Sequence, residues 1–133
     1  MKKHYFFLLF MFGSLTFSAN EMNIINGFAK KEGLVLDSKE HDGNSLTYMY
    51  TCKSTKCTDF LIDFSPVKVC AFEVLNFGDL PLLLDGSRKA IFTMAKSRDY
   101  LRFLNSKRDK CVKISYGHVA SKFDQMIELA KKL

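Results

Sequence analysis

Two β-type runs flank a short polar tip between Leu46 and Phe64, and this stretch constrains the fold more than any other part of the chain. It reads LTYMYTCKSTKCTDFLIDF. Both runs are rich in β-branched and aromatic residues, which favour strands. Cys52 and Cys57 stand at the two ends of the Lys-Ser-Thr-Lys tip. The pattern predicts a β-hairpin closed by its own disulfide.

All four cysteines, Cys52, Cys57, Cys70 and Cys111, lie after residue 50, and an even number in an exported chain indicates two disulfides. Three pairings can be drawn. Cys52 with Cys57 is favoured because a four-residue tip brings two strand ends opposite each other, which leaves Cys70 with Cys111. On the chain-entropy model the longer loop contributes about 4 kcal/mol and the shorter about 2 kcal/mol. A zinc site is the alternative, but paired Cys-x-x-Cys spacings are missing.

Residues 1–19 have the layout of a secretory signal peptide. Two lysines precede an apolar run, Tyr5–Phe12, and small residues follow at Ser18 and Ala19. This run is shorter than the roughly 20 residues of a membrane-spanning helix. The prediction is therefore cleavage after Ser18 or Ala19, a periplasmic or secreted protein, and no stable membrane span after cleavage. An uncleaved anchor is the alternative.

Removal of the leader leaves residues 20–133, or 133 − 19 = 114 residues, which is one domain. The full chain carries 20 basic and 14 acidic residues, and loss of Lys2 and Lys3 gives 18 − 14 = +4. The charge is uneven: residues 88–113 hold nine basic and two acidic residues, whereas residues 20–87 hold six basic and ten acidic residues. This distribution predicts one basic and one acidic region of the surface.

Hydrophobic periodicity gives an order of elements. Helical spacing predicts a helix over 21–32, ended by Gly33, and a clearer helix over 119–130 that Ser121 and Asp124 would cap. Period-two alternation predicts five strands: 34–36, 45–51, 59–64, 100–105 and 111–116. The segment 66–77 fits a helix beginning after Ser65, and its valines also fit a buried strand. After an apolar connector over 79–85, Gly86 would open another helix, whose inward residues are Ala90, Ile91, Met94 and Ala95.

This order predicts a small α+β domain with an antiparallel sheet of about five strands, packed by N-terminal, middle and C-terminal helices and held by two disulfides. In element order over Met22–Leu133, the chain resembles the type III secretion chaperone fold and its exported bacterial relatives. The resemblance implies a sheet that binds other proteins. The cysteines and the additional helical segment depart from the cytoplasmic chaperones, so neither their role nor any binding residue is carried over.

Candidate catalytic groups are few. His41 lies in a predicted turn beside Asp42, whereas His118 precedes the last helix, where a histidine can be presented to a cleft. No Gly-x-Ser-x-Gly elbow or reactive free cysteine accompanies His118. His118 is thus a weak catalytic candidate, and the sequence predicts no cofactor and no metal site.

Aromatic and basic residues are the better candidates for binding, because tyrosine and arginine are enriched at protein interfaces. Tyr100 and Arg102 would share one strand face, and a basic tip would follow at Ser106–Lys110. The candidate binding residues are Tyr48, Tyr50, Tyr100, Arg102, Lys107, Arg108 and Lys110. The expected partner is another protein or an anionic component of the envelope, because export argues against nucleic acid.

These observations favour a non-enzymatic binding protein of the cell envelope, such as an inhibitor, an immunity factor or an accessory subunit. The alternative is a small periplasmic hydrolase that uses His118 with a nearby carboxylate.

Overall fold

The structure is a computed structural model that describes residues 18–52, 59–117 and 122–133. Most of the predicted signal peptide, the tip of the first hairpin with Cys57, and His118 lie outside these ranges. The strands are β1 (Leu34–Asp42), β2 (Ser45–Cys52), β3 (Phe60–Ser65), β4 (Asp79–Leu84), β5 (Arg88–Met94), β6 (Arg98–Leu104) and β7 (Cys111–Gly117). The helices are α1 (Ala19–Lys31), α2 (Phe123–Lys132) and the 3₁₀ helix Val67–Cys70.

All seven strands form one antiparallel sheet in the order β1-β2-β3-β7-β6-β5-β4. The first three strands and the last four each form a meander, and the last strand, β7, returns to pair with β3. The centre of the sheet is therefore a pair of strands far apart in the sequence, β3 and β7, and the connection from β3 to β4 has to cross one face.

The prediction of about five strands and three sets of helices is wrong. Residues 79–84, predicted as a connector, form β4, and residues 88–94, predicted as the start of a helix, form β5. The reason is that β5 is buried on both faces: Ala90 and Phe92 join the core beneath the helices, and Ile91 is buried on the opposite face. A strand buried on both faces has a continuous apolar run, which lacks the alternation that identifies a strand.

The predicted middle helix over 66–77 is reduced to one 3₁₀ turn, Val67–Cys70, which ends at Ala71 in the left-handed conformation. Neither of the two forms considered, a helix or a buried strand, describes this segment. The observed order of elements thus differs from the order on which the resemblance to secretion chaperones rests, and that resemblance stays a hypothesis.

The part of the chain that the structure describes contains one disulfide, Cys70–Cys111, rather than the two expected. Its Cα atoms are 5.5 Å apart. Cys70 ends the 3₁₀ helix and Cys111 begins β7, so this bond fastens the β3–β4 connection to the centre of the sheet. Cys57, the predicted partner of Cys52, lies outside the described residues.

Both terminal helices pack on the same face of the sheet, and each contacts it through the kind of apolar stripe that its sequence predicts. Ile25 and Ala29 of α1 and Met126, Leu129 and Ala130 of α2 are buried against it. Alternate residues of the strands complete this core, each at most 2% exposed: Tyr50, Phe60, Ile62, Phe64, Leu101, Phe103, Val112, Ile114 and Tyr116. Among the described helices, none has the length and apolar character needed to cross a membrane.

A buried ion pair joins the start of α1 to the β6–β7 hairpin. Lys110 Nζ lies 2.9 Å from Glu21 Oε1, and both side chains are less than 10% exposed. Asn105 Nδ2 donates to Glu21 Oε2 at 3.2 Å, and the Asn105 Oδ1 atom accepts the backbone N–H groups of Asp109 and Lys110. At the other end, Ser18 and Glu21 form a capping box. Glu21 thus connects the helix cap to a turn 89 residues later.

Arg88 connects the C-terminal end of α2 to the sheet in a similar way. Its Nη2 atom donates to the backbone carbonyls of Ala130 at 3.1 Å and Lys131 at 3.0 Å, and its Nη1 atom donates to the carbonyl of Leu104 at 3.1 Å. Carbonyl groups in the last turn of a helix have no partner within the helix. The buried guanidinium therefore caps α2 and fixes it to the sheet.

Replacing Arg88 with methionine is expected to lower the free energy of unfolding by about 2–4 kcal/mol, because several charge-assisted hydrogen bonds are lost and buried carbonyls are left unpaired. Urea unfolding followed by circular dichroism measures this difference. Lys89→Met, which removes the same charge at an exposed neighbouring site, is the control and should change stability by less than about 1 kcal/mol. Equal stability of the two variants would contradict the capping role.

Both outer strands of the sheet carry features that oppose pairing with another strand. Pro81 interrupts β4 because proline has no backbone N–H. On the opposite side, β1 has a register shift between Leu36 and Ser38 and is exposed after Leu34, with four charged residues between Asp37 and Asp42. The face that the helices leave uncovered is consequently more accessible to a partner than the edges of the sheet.

Candidate functional site

The sheet face opposite the helices, called the open face below, has a row of charged side chains at its centre. Pairing places Asp63 of β3, Lys113 of β7 and Arg102 of β6 directly opposite one another across three neighbouring strands. A second row contains Ser115, Tyr100, Thr93 and Asp79. Antiparallel neighbours in one row point to the same face, so these residues share one surface.

The charges in this row are paired within the protein. Lys113 Nζ lies 3.6 Å from Asp63 Oδ2, and Asp63 also accepts the hydroxyl of Thr47. Arg102 Nη2 lies 3.5 Å from Asp79 Oδ2, whereas Arg102 Nε is buried without a hydrogen-bond partner. Both cations therefore have donor capacity that their carboxylate neighbours do not use.

Asp79 links Arg102 of the charged row to the segment that connects β3 with β4. The backbone N–H of Asn76 donates to Asp79 Oδ2 at 2.9 Å, and the Thr93 hydroxyl donates to Oδ1 at 2.7 Å. These bonds, together with the charge of Arg102, hold the pKa of Asp79 below its ordinary value although burial opposes them. The ionised carboxylate fixes the turn between Asn76 and Asp79, where Gly78 adopts a positive φ of 91°.

Residues 69–77, called the apolar loop below, present several large apolar side chains to water. Phe77 is fully exposed, and Val69, Val74 and Leu75 are each at least half exposed. The loop is held near one end by the Cys70–Cys111 disulfide and at the other by the Asp79 turn. Apolar residues that are exposed together on an anchored segment mark an interaction surface more often than scattered ones do.

Two recesses lie between the apolar loop and the charged row. One, of about 270 Å³, is lined by Phe77, Asp79, Tyr100, Arg102 and Lys113 among others. The other, of about 340 Å³, is lined by Val69, Asp63 and Ser65 together with the same Arg102 and Lys113. The two cations thus border both recesses, and the loop borders both from above.

The predicted binding residues lie in three environments, namely the open face, the core beneath the helices, and the turn between β6 and β7. Tyr100 and Arg102 lie on the open face. Tyr48 and Tyr50 are buried beneath the helices, where burial raises the pKa of both phenols. They cannot contact a partner without local unfolding.

The predicted basic tip is divided between surface and core. Lys107 and Arg108 are exposed in the turn between β6 and β7. Lys110, in contrast, is buried in the ion pair with Glu21, and its ammonium lies 4.5 Å from the centre of the Phe64 ring. His118, the weak catalytic candidate, lies outside the described residues.

Sequence reasoning missed Phe77, Asp79 and Lys113. The alternation of Lys113 with Val112 and Ile114 in the predicted strand could have placed Lys113 on the polar face. Its proximity to Asp63 could not be read in this way, because it depends on the pairing of β3 with β7. Exposure of Phe77 is also invisible in the sequence, since phenylalanine is among the residues most often buried in a core.

The open face with its apolar loop is therefore the best candidate for a binding surface, and it has to be assessed on its own chemistry. No protein-family model, no curated protein and no solved structure matches this chain.

Proposed function

We propose that this protein is an exported, non-enzymatic protein-binding domain whose partner docks on the open face. The observation that carries the proposal is the fully exposed Phe77 on a loop anchored near both ends. An exposed aromatic side chain gains free energy when a partner buries it. An anchored loop also loses little conformational entropy on binding, which favours affinity.

The recesses beneath the loop add specificity to this proposal. Binding energy at protein interfaces concentrates in aromatic and arginine side chains that neighbouring contacts shield from water. Phe77, Tyr100 and Arg102 border one recess together and provide this combination. Lys113 and Asp63 beside them would orient a partner through complementary charge.

One feature of the structure supports export. The Cys70–Cys111 disulfide suits an oxidising compartment, since cytosolic proteins seldom keep one. An inhibitor, an immunity factor and an accessory subunit all fit such a compact domain that binds a protein without transforming it.

Replacing Phe77 with serine is expected to weaken partner binding by about tenfold or more, which is the loss expected at an aromatic hot spot. Stability should stay within about 0.5 kcal/mol of the original protein, because Phe77 is already in water. A photoreactive phenylalanine analogue at position 77 would first capture the partner from cells that express the full chain. Titration of the purified partner against each variant then measures affinity.

The matched control is Met94→Ser, which removes a similarly exposed apolar side chain from the end of β5. It should leave affinity unchanged. Equal affinity of Phe77→Ser and the original protein would contradict the proposal. Charge reversal at Lys107 and Arg108 tests the other surface: if it abolishes capture while Phe77→Ser does not, the partner is an anionic component bound by the basic turn.

A further inference from the structure

Arg102 and Lys113 form a like-charged pair at the centre of the open face. They stand directly opposite each other on β6 and β7, so their side chains share one face of the sheet. Like charges in this arrangement destabilise a sheet. Neither side chain is enclosed, since Lys113 is 46% exposed and Arg102 is 22% exposed. An anion bound beside both cations would therefore relieve a repulsion that the fold itself creates.

The neighbouring carboxylates leave most of the donors of this pair unused. With the described residues, the Arg102 guanidinium makes one hydrogen bond, to Asp79 Oδ2 at 3.5 Å, which is at the outer limit for such a bond. Lys113 Nζ lies 3.6 Å from Asp63 Oδ2, a distance that suits an ion pair and is too long for a hydrogen bond. A guanidinium has four N–H groups on its two Nη atoms, and an ammonium has three. The pair can thus donate to a further carboxylate.

The two neighbouring acids differ in how they compete with such a ligand. The Asp79 side chain is 3% exposed, and its two oxygens already accept shorter bonds from the Asn76 N–H and the Thr93 hydroxyl. Asp63 is 26% exposed and lies on β3, on the other side of β7 from Arg102. Asp63 therefore competes with a ligand for Lys113, whereas Asp79 is occupied by the connection to β4.

The recess that Phe77 borders, called the Phe77 recess below, lies beside this pair. Its volume of about 270 Å³ is below the roughly 300–1,000 Å³ of pockets for drug-sized ligands, so it suits a single side chain. The charged side chains that line it are Arg102, Lys113 and Asp79, that is, two cations and one acid. Phe77 and Tyr100 add aromatic surface, and Phe77 is fully exposed. Cationic and apolar groups thus border the same small space.

Charge on the open face is divided between its two halves. Strands β5, β6 and β7 present Lys89, Arg98, Arg102 and Lys113 there, whereas β1 and β3 present Glu40, Asp42 and Asp63. A basic region attracts an anionic group of a partner before contact and disfavours a cationic one. An acidic group is therefore expected to arrive on the basic half, where the Phe77 recess lies.

We propose that the Phe77 recess binds an acidic side chain of the partner, in a segment whose neighbouring residues are apolar. This inference rests on the proposed function and deepens it, since it names the chemistry that the partner presents. The carboxylate would lie beside Arg102 and Lys113 and accept charge-assisted hydrogen bonds. The adjacent apolar residue would cover Phe77 and exclude water, which strengthens the interaction between the charges.

The experiment begins with a random peptide library displayed on phage, with the C-terminus of each peptide fused so that side chains provide the only carboxylates. The protein, purified with its disulfide from cells that express the full chain, selects peptides from this library. Peptides that no longer bind Phe77→Ser are retained, because their binding depends on the open face. They should share Asp or Glu at one position beside an apolar residue.

A synthetic peptide of the retained sequence, acetylated and amidated, then measures the contribution of the carboxylate by calorimetry. Its version with the corresponding amide, Gln or Asn, should bind at least about tenfold more weakly. Arg102→Gln should weaken the acidic peptide by about tenfold, and Lys113→Gln by about threefold, because Lys113 is more exposed. Neither variant should change the affinity for the amide peptide, which separates loss of the charge contact from disturbance of the loop.

Two further variants act as an opposite test and a matched control. Asp63→Asn removes the competitor for Lys113 and should strengthen binding of the acidic peptide by about threefold. Lys107→Gln removes a positive charge from the exposed turn between β6 and β7 and should leave affinity unchanged.

Several results would each overturn the inference: retained peptides without a shared acidic residue, equal affinity of the acidic and amide peptides, or an Asp63→Asn variant that binds the acidic peptide no more tightly. The first two would leave the open face in place as a docking surface and reject only the acidic side chain. If the library yields no peptide that depends on Phe77, both the inference and the proposed docking surface are contradicted.

Discussion

Removing the Cys70–Cys111 disulfide, by replacing both cysteines with alanine, is expected to lower the free energy of unfolding by about 4 kcal/mol. The two residues are 41 positions apart, so the cross-link removes a large amount of conformational freedom from the unfolded chain. Both cysteines are also buried, and truncation leaves space in the packing between the 3₁₀ helix and β7. A loss of this size is a large fraction of the stability of a domain of about 100 residues.

Urea unfolding of the double variant and of the original protein, both without reductant, measures this effect and leaves the other cysteines undisturbed. A Ser87→Ala/Ser106→Ala double variant, with both changes in turns outside the disulfide, is the control. The double cysteine variant should also bind the partner less tightly, since the apolar loop loses one of its two anchors. A stability within about 1 kcal/mol of the original would contradict the structural role of the bond.

Replacing Lys110 with methionine is expected to cost about 3–5 kcal/mol of stability. The substitution leaves the Glu21 carboxylate buried, with its remaining hydrogen bonds from Asn105 and the backbone of Ser18. An unpaired buried charge is far more costly than the loss of a surface ion pair. The double variant Glu21→Leu/Lys110→Met should regain much of the loss because it buries neither charge.

The control for this prediction is Lys107→Met in the same turn, where the side chain is exposed and the expected change is small. The dependence of stability on pH provides a second measurement. Burial raises the pKa of Glu21, but its bonds from Ser18, Lys110 and Asn105 and the charge of Lys110 outweigh burial, so the pKa lies below 4.5. The resulting stabilisation is complete above the pKa of the unfolded chain and is lost as the pH falls through the lowered value.

Between neutral pH and about pH 3, the original protein should thus lose more stability than Glu21→Gln, which has no proton to bind at this site. Equal losses would show that the pair contributes nothing to the pH dependence. A Lys110→Met variant as stable as Lys107→Met would contradict the role of the buried pair itself.

Local patterns in the sequence were sufficient for the terminal helices, the two hairpins around β2–β3 and β6–β7, and the Cys70–Cys111 pairing. The helices and hairpins depend on interactions between residues that are close in the sequence. The disulfide could be predicted because four cysteines can pair in only three ways. The pattern was insufficient at β5, because Ile91 is buried on one face while Ala90 and Phe92 are buried on the other. The β4 strand was missed because Pro81 and short apolar runs are also typical of a connector.

The same limit applies to the candidate site: the sequence predicts which residues share a strand face, but not which distant segments meet. That Tyr100 and Arg102 lie on one strand face follows from alternation alone. That Lys110 is buried does not, because its partner Glu21 is 89 residues away. Tyr48 and Tyr50 were proposed as binding residues from their side-chain type, yet their face of β2 belongs to the core.

The edge strands β1 and β4 both oppose pairing with a further strand, and this limits the ways in which a partner can recognise the protein. A partner that cannot add a strand to the sheet has to bind exposed side chains. Backbone hydrogen bonding, in contrast, would depend little on the identity of the residues involved. Substitution of single side chains across the exposed surface should therefore map the determinants of recognition one by one. An evolving partner, in turn, would have to follow changes in those few side chains rather than rely on the constant geometry of the peptide backbone.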